Sequence, residues 1–211
     1  MVKTARNSNI ELLRILSMFA IIAGHFVGQS GTFEYSLCVN DYLLTLISSG
    51  CRIAVNVFLL IGVWYMVNAK FSAARLLKMY GQLYLYTSIF TIFALIIDYK
   101  EVPLKLIIYG FMPFIGRELW FASSYLCLLI FKPFLDLILQ WDKKRLISFS
   151  ILFFVFLSLL STMLSEQQGF LCDTVWFASV YLVIGTIKKY PPKFNWKGIY
   201  SLILFGGGIL F

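Results

Sequence analysis

Residues 7–26 read NSNIELLRILSMFAIIAGHF, an apolar run that nevertheless carries Glu11, Arg14 and His25, the only histidine of the chain. The run reaches the length of about 20 residues that crosses a bilayer. The sequence that follows offers no convincing cleavage site of a secretory signal. We therefore expect an uncleaved first membrane span over residues 9–28.

The rest of the chain is equally apolar. Of its 211 residues, 60% are hydrophobic and 13% are charged, which is more apolar surface than a soluble domain buries. Long apolar runs recur, whereas the strands of a membrane barrel would alternate over about ten residues. The sequence therefore predicts an all-α, polytopic transmembrane helical bundle of about six spans plus a partial seventh. The predicted spans are 9–28, 51–67, 79–97, 120–139, 146–164, 173–187 and 199–211.

Some of these runs are short. The second and sixth are expected to be short or partly interfacial, and residues 104–115 are too few to cross. The last run holds about a dozen apolar residues, so we expect the chain to end inside a helix. On this interpretation residues 1–211 are a single membrane domain that is incomplete at its C-terminus.

The net charge of +8 comes from short basic blocks between the apolar runs. Such blocks face lipid head groups, so membrane lipid is the expected partner and nucleic acid is not. Alternate connections hold the larger share of Lys and Arg, which predicts a multi-pass protein of the cell membrane with a cytoplasmic N-terminus. The richer connections contain Lys3, Arg6, Lys70, Arg75, Lys78, Lys143, Lys144, Arg145, Lys188, Lys189, Lys193 and Lys197, against Arg52, Lys100, Lys105 and Arg117 in the others. Cysteine spacing and a single histidine predict no metal site.

Arg14 and His25 are expected to share one face of the first span. Eleven residues turn an α-helix to within roughly 20° of the starting direction and advance it by about 16 Å. Glu11 precedes Arg14 by three residues and can pair with it. Such a stripe must face protein or water, because exposing ionisable groups to lipid costs several kcal/mol. The alternatives are an interfacial histidine held by a hydrogen bond and an arginine that reaches the head groups.

Four segments together resemble the acyltransferase-3 family of membrane acyltransferases. IELLRILSMFAIIAGH (10–25) matches the family signature of an arginine, ten residues and a histidine, and VNVFLLIGVWYMV (55–67) is similar to its second span. KFSAARLLKMY (70–80) resembles the basic stretch that follows, and ELWFASSYLCLLIFKPFL (118–135) a later segment built on a Trp-Phe pair and a proline. The resemblance covers about residues 7–187 in the family's order. The chain departs from the family at Lys78, a frequent arginine, and at Glu118, where many relatives have histidine.

The resemblance implies a membrane O-acyltransferase, with acetyl as the favoured group. It would move the acyl group from cytoplasmic acyl-CoA, a co-substrate rather than a resident cofactor, to a hydroxyl of a cell-envelope or exopolysaccharide sugar. His25 would take the hydroxyl proton, with Glu118 as the second catalytic residue. Arg14, Arg75 and Lys78 would bind the phosphates of coenzyme A.

Glu11, Asn56 and Trp120 are the expected substrate-binding residues, Trp120 by stacking on a sugar ring. Each has a structural alternative. Trp120 also suits the aromatic belt at a membrane interface, and Asn56 lies where it could bond across helices.

Other predicted site residues have alternatives too. Arg75 and Lys78 could be positive-inside anchors, and Glu118 could be an exposed loop carboxylate paired with Arg117. Two rival functions stay open. One is a non-catalytic component of a polysaccharide export or transport system, in which the polar stripe lines a proton or substrate path; the other is an inactive, truncated remnant.

Overall fold

A computed structural model of the protein describes residues 8–29, 39–98, 102–112, 119–163 and 170–191. In these ranges the chain has seven α-helices and no strand, so the all-α prediction is confirmed. The helices are α1 (Ser8–Gln29), α2 (Val39–Val67), α3 (Ala73–Asp98), α4 (Leu104–Phe111), α5 (Trp120–Leu139), α6 (Lys143–Met163) and α7 (Phe170–Lys189).

Four segments of the described chain are long and apolar enough to cross a membrane, which indicates a membrane protein. They are Ser8–Gln29, Tyr42–Val67, Ala73–Ile97 and Trp120–Leu139. The predicted spans at 146–164 and 173–187 correspond to helices α6 and α7, which are not among the four. The predicted partial span at 199–211 lies outside the described residues. The described residues therefore do not support the predicted count of six spans plus a partial seventh.

Helix α2 corrects one prediction. The second span was expected to be short, over 51–67, but α2 has 29 residues and its apolar segment begins at Tyr42. Ser48, Ser49 and Gly50 lower the hydropathy ahead of residue 51. The helix continues through them, because helical backbone groups bond to one another and small residues do not interrupt that pattern in a membrane. By contrast, the segment predicted to be too short to cross forms the eight-residue helix α4.

Side-chain caps determine where two helices begin. The backbone N–H of Arg75 donates to Ser72 Oγ at 3.4 Å, and that of Arg145 donates to Asp142 Oδ2 at 3.2 Å. Each bond satisfies one of the N–H groups that have no partner inside a first turn. Helix α3 consequently starts six residues before the predicted span, and it carries Arg75 and Lys78 in its first two turns.

The helices fall into two compact units, and each is described by itself. The described part of the first unit consists of α1 and of α2 as far as Met66. The two helices approach closely where Gly24 faces Cys51, since a Cβ at position 24 would overlap the Cys51 side chain. Cys51 Sγ also lies 3.8 Å from the carbonyl oxygen of Ile21. The prediction of a single domain over residues 1–211 stays a prediction.

Gly24→Ala is expected to destabilise the contact between α1 and α2 by about 1–3 kcal/mol, because overpacking a close contact forces side chains and backbone to shift. Gly28→Ala, one turn further along α1, is the matched control. A Cβ at position 28 meets nothing within 4 Å, so this change is expected to be neutral or stabilising by up to about 1 kcal/mol. Thermal unfolding of the detergent-solubilised full chain compares them. If Gly24→Ala melted at the same temperature as Gly28→Ala, the described contact would be wrong. Adding Cys51→Gly to the Gly24→Ala variant should restore its stability, because the side chain that the new Cβ overlaps is then absent.

The second unit contains α3 to α7, with its core between α5, α6 and α7. Helices α5 and α7 run in the same direction over their later halves, since Asp136 meets Tyr181 and Leu139 meets Gly185. Helix α6 packs on α7 in the opposite direction, so α7 lies between α5 and α6. Fully buried side chains fill this core, namely Leu126, Leu128, Leu146, Phe177, Tyr181 and Leu182. Helix α3 packs on α5 and also supports α4.

Candidate functional site

Helix α1 positions three of the predicted site residues. It is continuous from Ser8 to Gln29, so the helical spacing expected for Glu11, Arg14 and His25 applies. Arg14 Nη1 lies 3.5 Å from Glu11 Oε1, and each of the two side chains is 37% exposed. The predicted ion pair is confirmed. It holds the guanidinium next to a carboxylate at the first turns of the helix.

His25 is exposed near the other end of α1. Within the described ranges, no hydrogen bond or ion pair joins its imidazole to another residue. Gly24, which packs against Cys51 of α2, directly precedes it. Consecutive residues point about 100° apart on a helix, so the imidazole lies to one side of the α1–α2 contact. The interfacial alternative, in which a hydrogen bond holds His25, has no partner for it in the described part of the chain.

Asn56 is half-buried on α2, in the same unit as His25. The structural alternative for Asn56 is a hydrogen bond from its side chain across helices. Among the described residues the structure contains no such bond. The amide is therefore a polar group whose hydrogen-bonding capacity is unused in that part of the molecule.

Arg75 and Lys78 belong to the second unit and lie in the first two turns of α3. Both side chains are exposed, and over the described ranges neither pairs with a carboxylate. Residues three apart on a helix are neighbours on its surface. The two cations therefore form a small positive patch at the start of α3.

Trp120 is the first residue of α5 and is half-buried. Its ring meets Phe121 edge-on at 5.8 Å between centroids and Phe177 of α7 at 6.4 Å. The indole thus packs into an aromatic cluster that joins two helices. Glu118, and Arg117 as its alternative partner, lie outside the described residues.

A buried ionisable cluster between α5 and α7 was not predicted. Lys132 is 2% exposed, and its Nζ lies 2.5 Å from Asp136 Oδ2. The Tyr181 hydroxyl donates to the other carboxylate oxygen, Oδ1, at 2.5 Å. Lys132 Nζ also lies 5.8 Å from the centre of the Tyr181 ring. Asp136 therefore accepts from two donors, and the charges of the pair cancel inside the helix bundle.

The sequence holds part of the signal for this cluster. A lysine and an aspartate four residues apart in an apolar run can pair along one helix, and ionisable residues inside a membrane span mark functional or structural sites. Glu11 and Arg14, three residues apart on α1, show the same local pattern. Tyr181 comes from a helix 45 residues away and has no local signal.

A second unpredicted group lies where α5 and α7 end and α6 begins. Lys189 Nζ donates to the carbonyl oxygens of Leu139 at 2.6 Å and Trp141 at 3.2 Å. Lys189 and Lys143 both place an ammonium group near the ring of Tyr190, at 5.2 and 5.7 Å from its centre. Two basic blocks that are separate in sequence thus meet at one end of the second unit. Nearby, burial lowers the pKa of Lys188.

Comparison of the chain with protein-family models, with curated proteins and with solved structures gave no match.

Proposed function

We propose that the protein is a membrane O-acyltransferase that moves an acyl group, with acetyl favoured, from cytoplasmic acyl-CoA to a sugar hydroxyl of a cell-envelope or exopolysaccharide glycan. One observation carries the proposal. Arg14 and His25 stand eleven residues apart on a single continuous helix, with Glu11 paired to the arginine. This is the spacing by which the first span resembles the acyltransferase-3 family.

The proposed chemistry assigns the proton transfer to His25. A sugar hydroxyl is a poor nucleophile, so a base must take its proton as the oxygen attacks the thioester carbonyl. A neutral imidazole nitrogen accepts that proton. The tetrahedral intermediate then expels the thiolate of coenzyme A, which takes the proton from the imidazolium. The products are the sugar ester and free coenzyme A, and His25 is neutral again.

The remaining residues have proposed roles in binding. Arg14, Arg75 and Lys78 bind the phosphates of the donor, for which charged hydrogen bonds are the strong contacts. Glu11 holds the Arg14 guanidinium, as their 3.5 Å contact supports.

The acceptor side is assigned by chemistry. Asn56 donates to and accepts from sugar hydroxyls. Trp120 stacks on a sugar ring. Glu118, which lies outside the described residues, is assigned as the second catalytic residue by the resemblance alone. The half-buried positions of Asn56 and Trp120 leave part of each side chain accessible, which supports these roles.

We further propose that the N-terminus is cytoplasmic in the cell membrane, with α6 beginning on the same side. Lys144 and Lys105 are both exposed, and the charge pattern assigns them to opposite sides. In a chain whose four cysteines are serine, a membrane-impermeant maleimide should label Lys105→Cys on intact cells, and Lys144→Cys only after lysis. Labelling in the reverse order would invert the assignment.

Arg14→Ala is expected to weaken the use of acyl-CoA by about 1.5–3 kcal/mol, the value of a hydrogen bond to a charged group. Arg14→Lys should recover only part of this, because a point charge does not reproduce the planar fork of arginine. Titration of acyl-CoA against initial rate measures both variants, with the apparent affinity for the sugar as the internal control. If Arg14→Ala lowered protein level and left the apparent affinity for acyl-CoA unchanged, the residue would be an anchor of the helix.

A second candidate is a non-catalytic component of a polysaccharide export or transport system. The buried Lys132–Asp136–Tyr181 cluster favours it, because ionisable groups inside spans line proton and substrate paths.

One assay separates the two candidates. Purified full chain is incubated with acetyl-CoA and a glycan acceptor, free thiol is measured with a chromogenic disulfide, and the glycan is weighed by mass spectrometry. The proposal expects thiol release that depends on the acceptor, together with a glycan heavier by an acetyl group. If folded, purified protein released no thiol and left the mass of the glycan unchanged, the non-catalytic candidate would be favoured.

A further inference from the structure

The end of the second unit at which α6 begins is strongly positive. Lys143, Lys144 and Arg145 open α6, and Lys189 closes α7 beside them. In the described residues, Asp142 supplies the carboxylate at this end, and Arg145 already binds it. It accepts the N–H of Arg145 at 3.2 Å and lies 3.7 Å from the Arg145 guanidinium. Lys143, Lys144 and Lys189 have no carboxylate partner in the described ranges.

Two of these cations are gathered around one aromatic ring. Lys143 Nζ and Lys189 Nζ lie 5.7 and 5.2 Å from the centre of the Tyr190 ring. Lys189 is held there, because it donates to two carbonyl oxygens at the end of α5. Tyr190 is held as well, since its N–H donates to the carbonyl oxygen of Thr186 at 2.8 Å. The like charges are therefore brought together by the fold and are not spread along a loop.

We propose that Lys143, Lys189 and Tyr190 form a binding site for the phosphate of an anionic phospholipid. Helix α5 is long and apolar enough to span the membrane, and these residues lie just beyond its last turn. Tyrosine and lysine at that depth meet the head groups. Lysine ammonium groups bind a single phosphodiester as point charges. The site uses none of the residues assigned to the acyl donor and does not depend on the proposed acyl transfer.

Native mass spectrometry of the full chain, titrated with phosphatidylglycerol or with phosphatidylcholine, tests the site. Each lysine near a membrane surface contributes about fivefold to the affinity for anionic lipid. Lys143→Gln should therefore lower the affinity for the most tightly bound phosphatidylglycerol about fivefold. The double variant Lys143→Gln/Lys189→Gln should lower this affinity roughly 25-fold. Phosphatidylcholine should bind weakly to all variants. In the described residues the Lys143 side chain makes no hydrogen bond or ion pair and is exposed, so its single variant is expected to fold normally.

Lys105→Gln is the matched control. Its ammonium group also lies over a tyrosine ring, 5.5 Å from the centre of Tyr109, and no other lysine of the described residues lies at that ring. The proposal expects unchanged phosphatidylglycerol affinity for this variant. Equal weakening by Lys105→Gln and Lys143→Gln would overturn it, because the effect would then be general charge. Displacement of the lipid by 3′,5′-ADP at equal concentration would also overturn it, in favour of a site for soluble phosphates.

Discussion

Replacing His25 with alanine is expected to lower acyl transfer by at least about 10²-fold and by as much as 10⁴-fold, the usual contribution of a positioned general base. The amount of protein in the membrane should not change. His25 is exposed and makes no hydrogen bond in the described residues, so its loss leaves no buried group without a partner. The rate of thiol release from acetyl-CoA in the presence of acceptor measures the effect.

Two further variants make this result specific. His25→Gln retains a hydrogen-bonding side chain but cannot act as a base, so it should be as inactive as the alanine variant. Phe26→Ala changes the adjacent, 75% exposed side chain of the same helix and should retain activity. Full acyl transfer by His25→Ala would remove the assigned base and the proposed mechanism with it. Equal loss in Phe26→Ala would point to a disturbed helix instead.

Removing Asp136 is expected to produce the largest change in stability. Lys132 is 2% exposed, and Asp136→Ala would leave its charge buried without a partner. Breaking a buried pair on one side costs about 3–5 kcal/mol, and the 35% exposure of the Asp136 side chain places this variant at the lower end of that range. Tyr181→Phe removes one hydrogen bond to the carboxylate and should cost about 1.5–3 kcal/mol. Thermal unfolding of the solubilised chain should rank the two variants in that order.

The double variant Lys132→Met/Asp136→Leu separates charge from packing. Exchanging both members of a buried pair for apolar residues is often neutral or stabilising, so the double variant should recover most of the loss. Arg145→Ala breaks an exposed ion pair, with 81% and 62% exposed side chains, and should cost less than about 1 kcal/mol. If Asp136→Ala were as stable as Arg145→Ala, the buried pair would not contribute to the fold as described.

Helix positions were predictable where hydropathy changes sharply. The span predicted over 120–139 matches α5, since polar or turn-forming residues flank a predominantly apolar run that contains Lys132 and Asp136. The start of α2 was missed by twelve residues, because Ser48, Ser49 and Gly50 lower hydropathy without ending the helix. Hydropathy measures transfer to lipid, whereas a helix ends where its backbone bonds end. The two coincide at α5, whose first turn has no side-chain cap, and differ at α2.

The candidate site was predictable to the extent that it is local. Glu11 and Arg14 are three residues apart, and helical geometry alone predicts their contact. The bond between Tyr181 and Asp136 depends on how α7 packs against α5, which spacing within one helix does not reveal. The same holds for Lys143 and Lys189 around Tyr190. Lys143 begins α6 and Lys189 ends α7, so they are far apart in the sequence and meet only in the folded unit.

The order of contacts in the second unit has a consequence for biosynthesis. Tyr181 follows Asp136 by 45 residues, so the ribosome delivers it about 2–9 s later at 5–20 residues per second. During that interval α5 must enter the bilayer without the tyrosine hydroxyl. Lys132 lies one turn away on the same helix and is present as soon as that turn forms. The nascent helix therefore carries its own counterion into the membrane, and the translocon receives a segment whose charges already cancel.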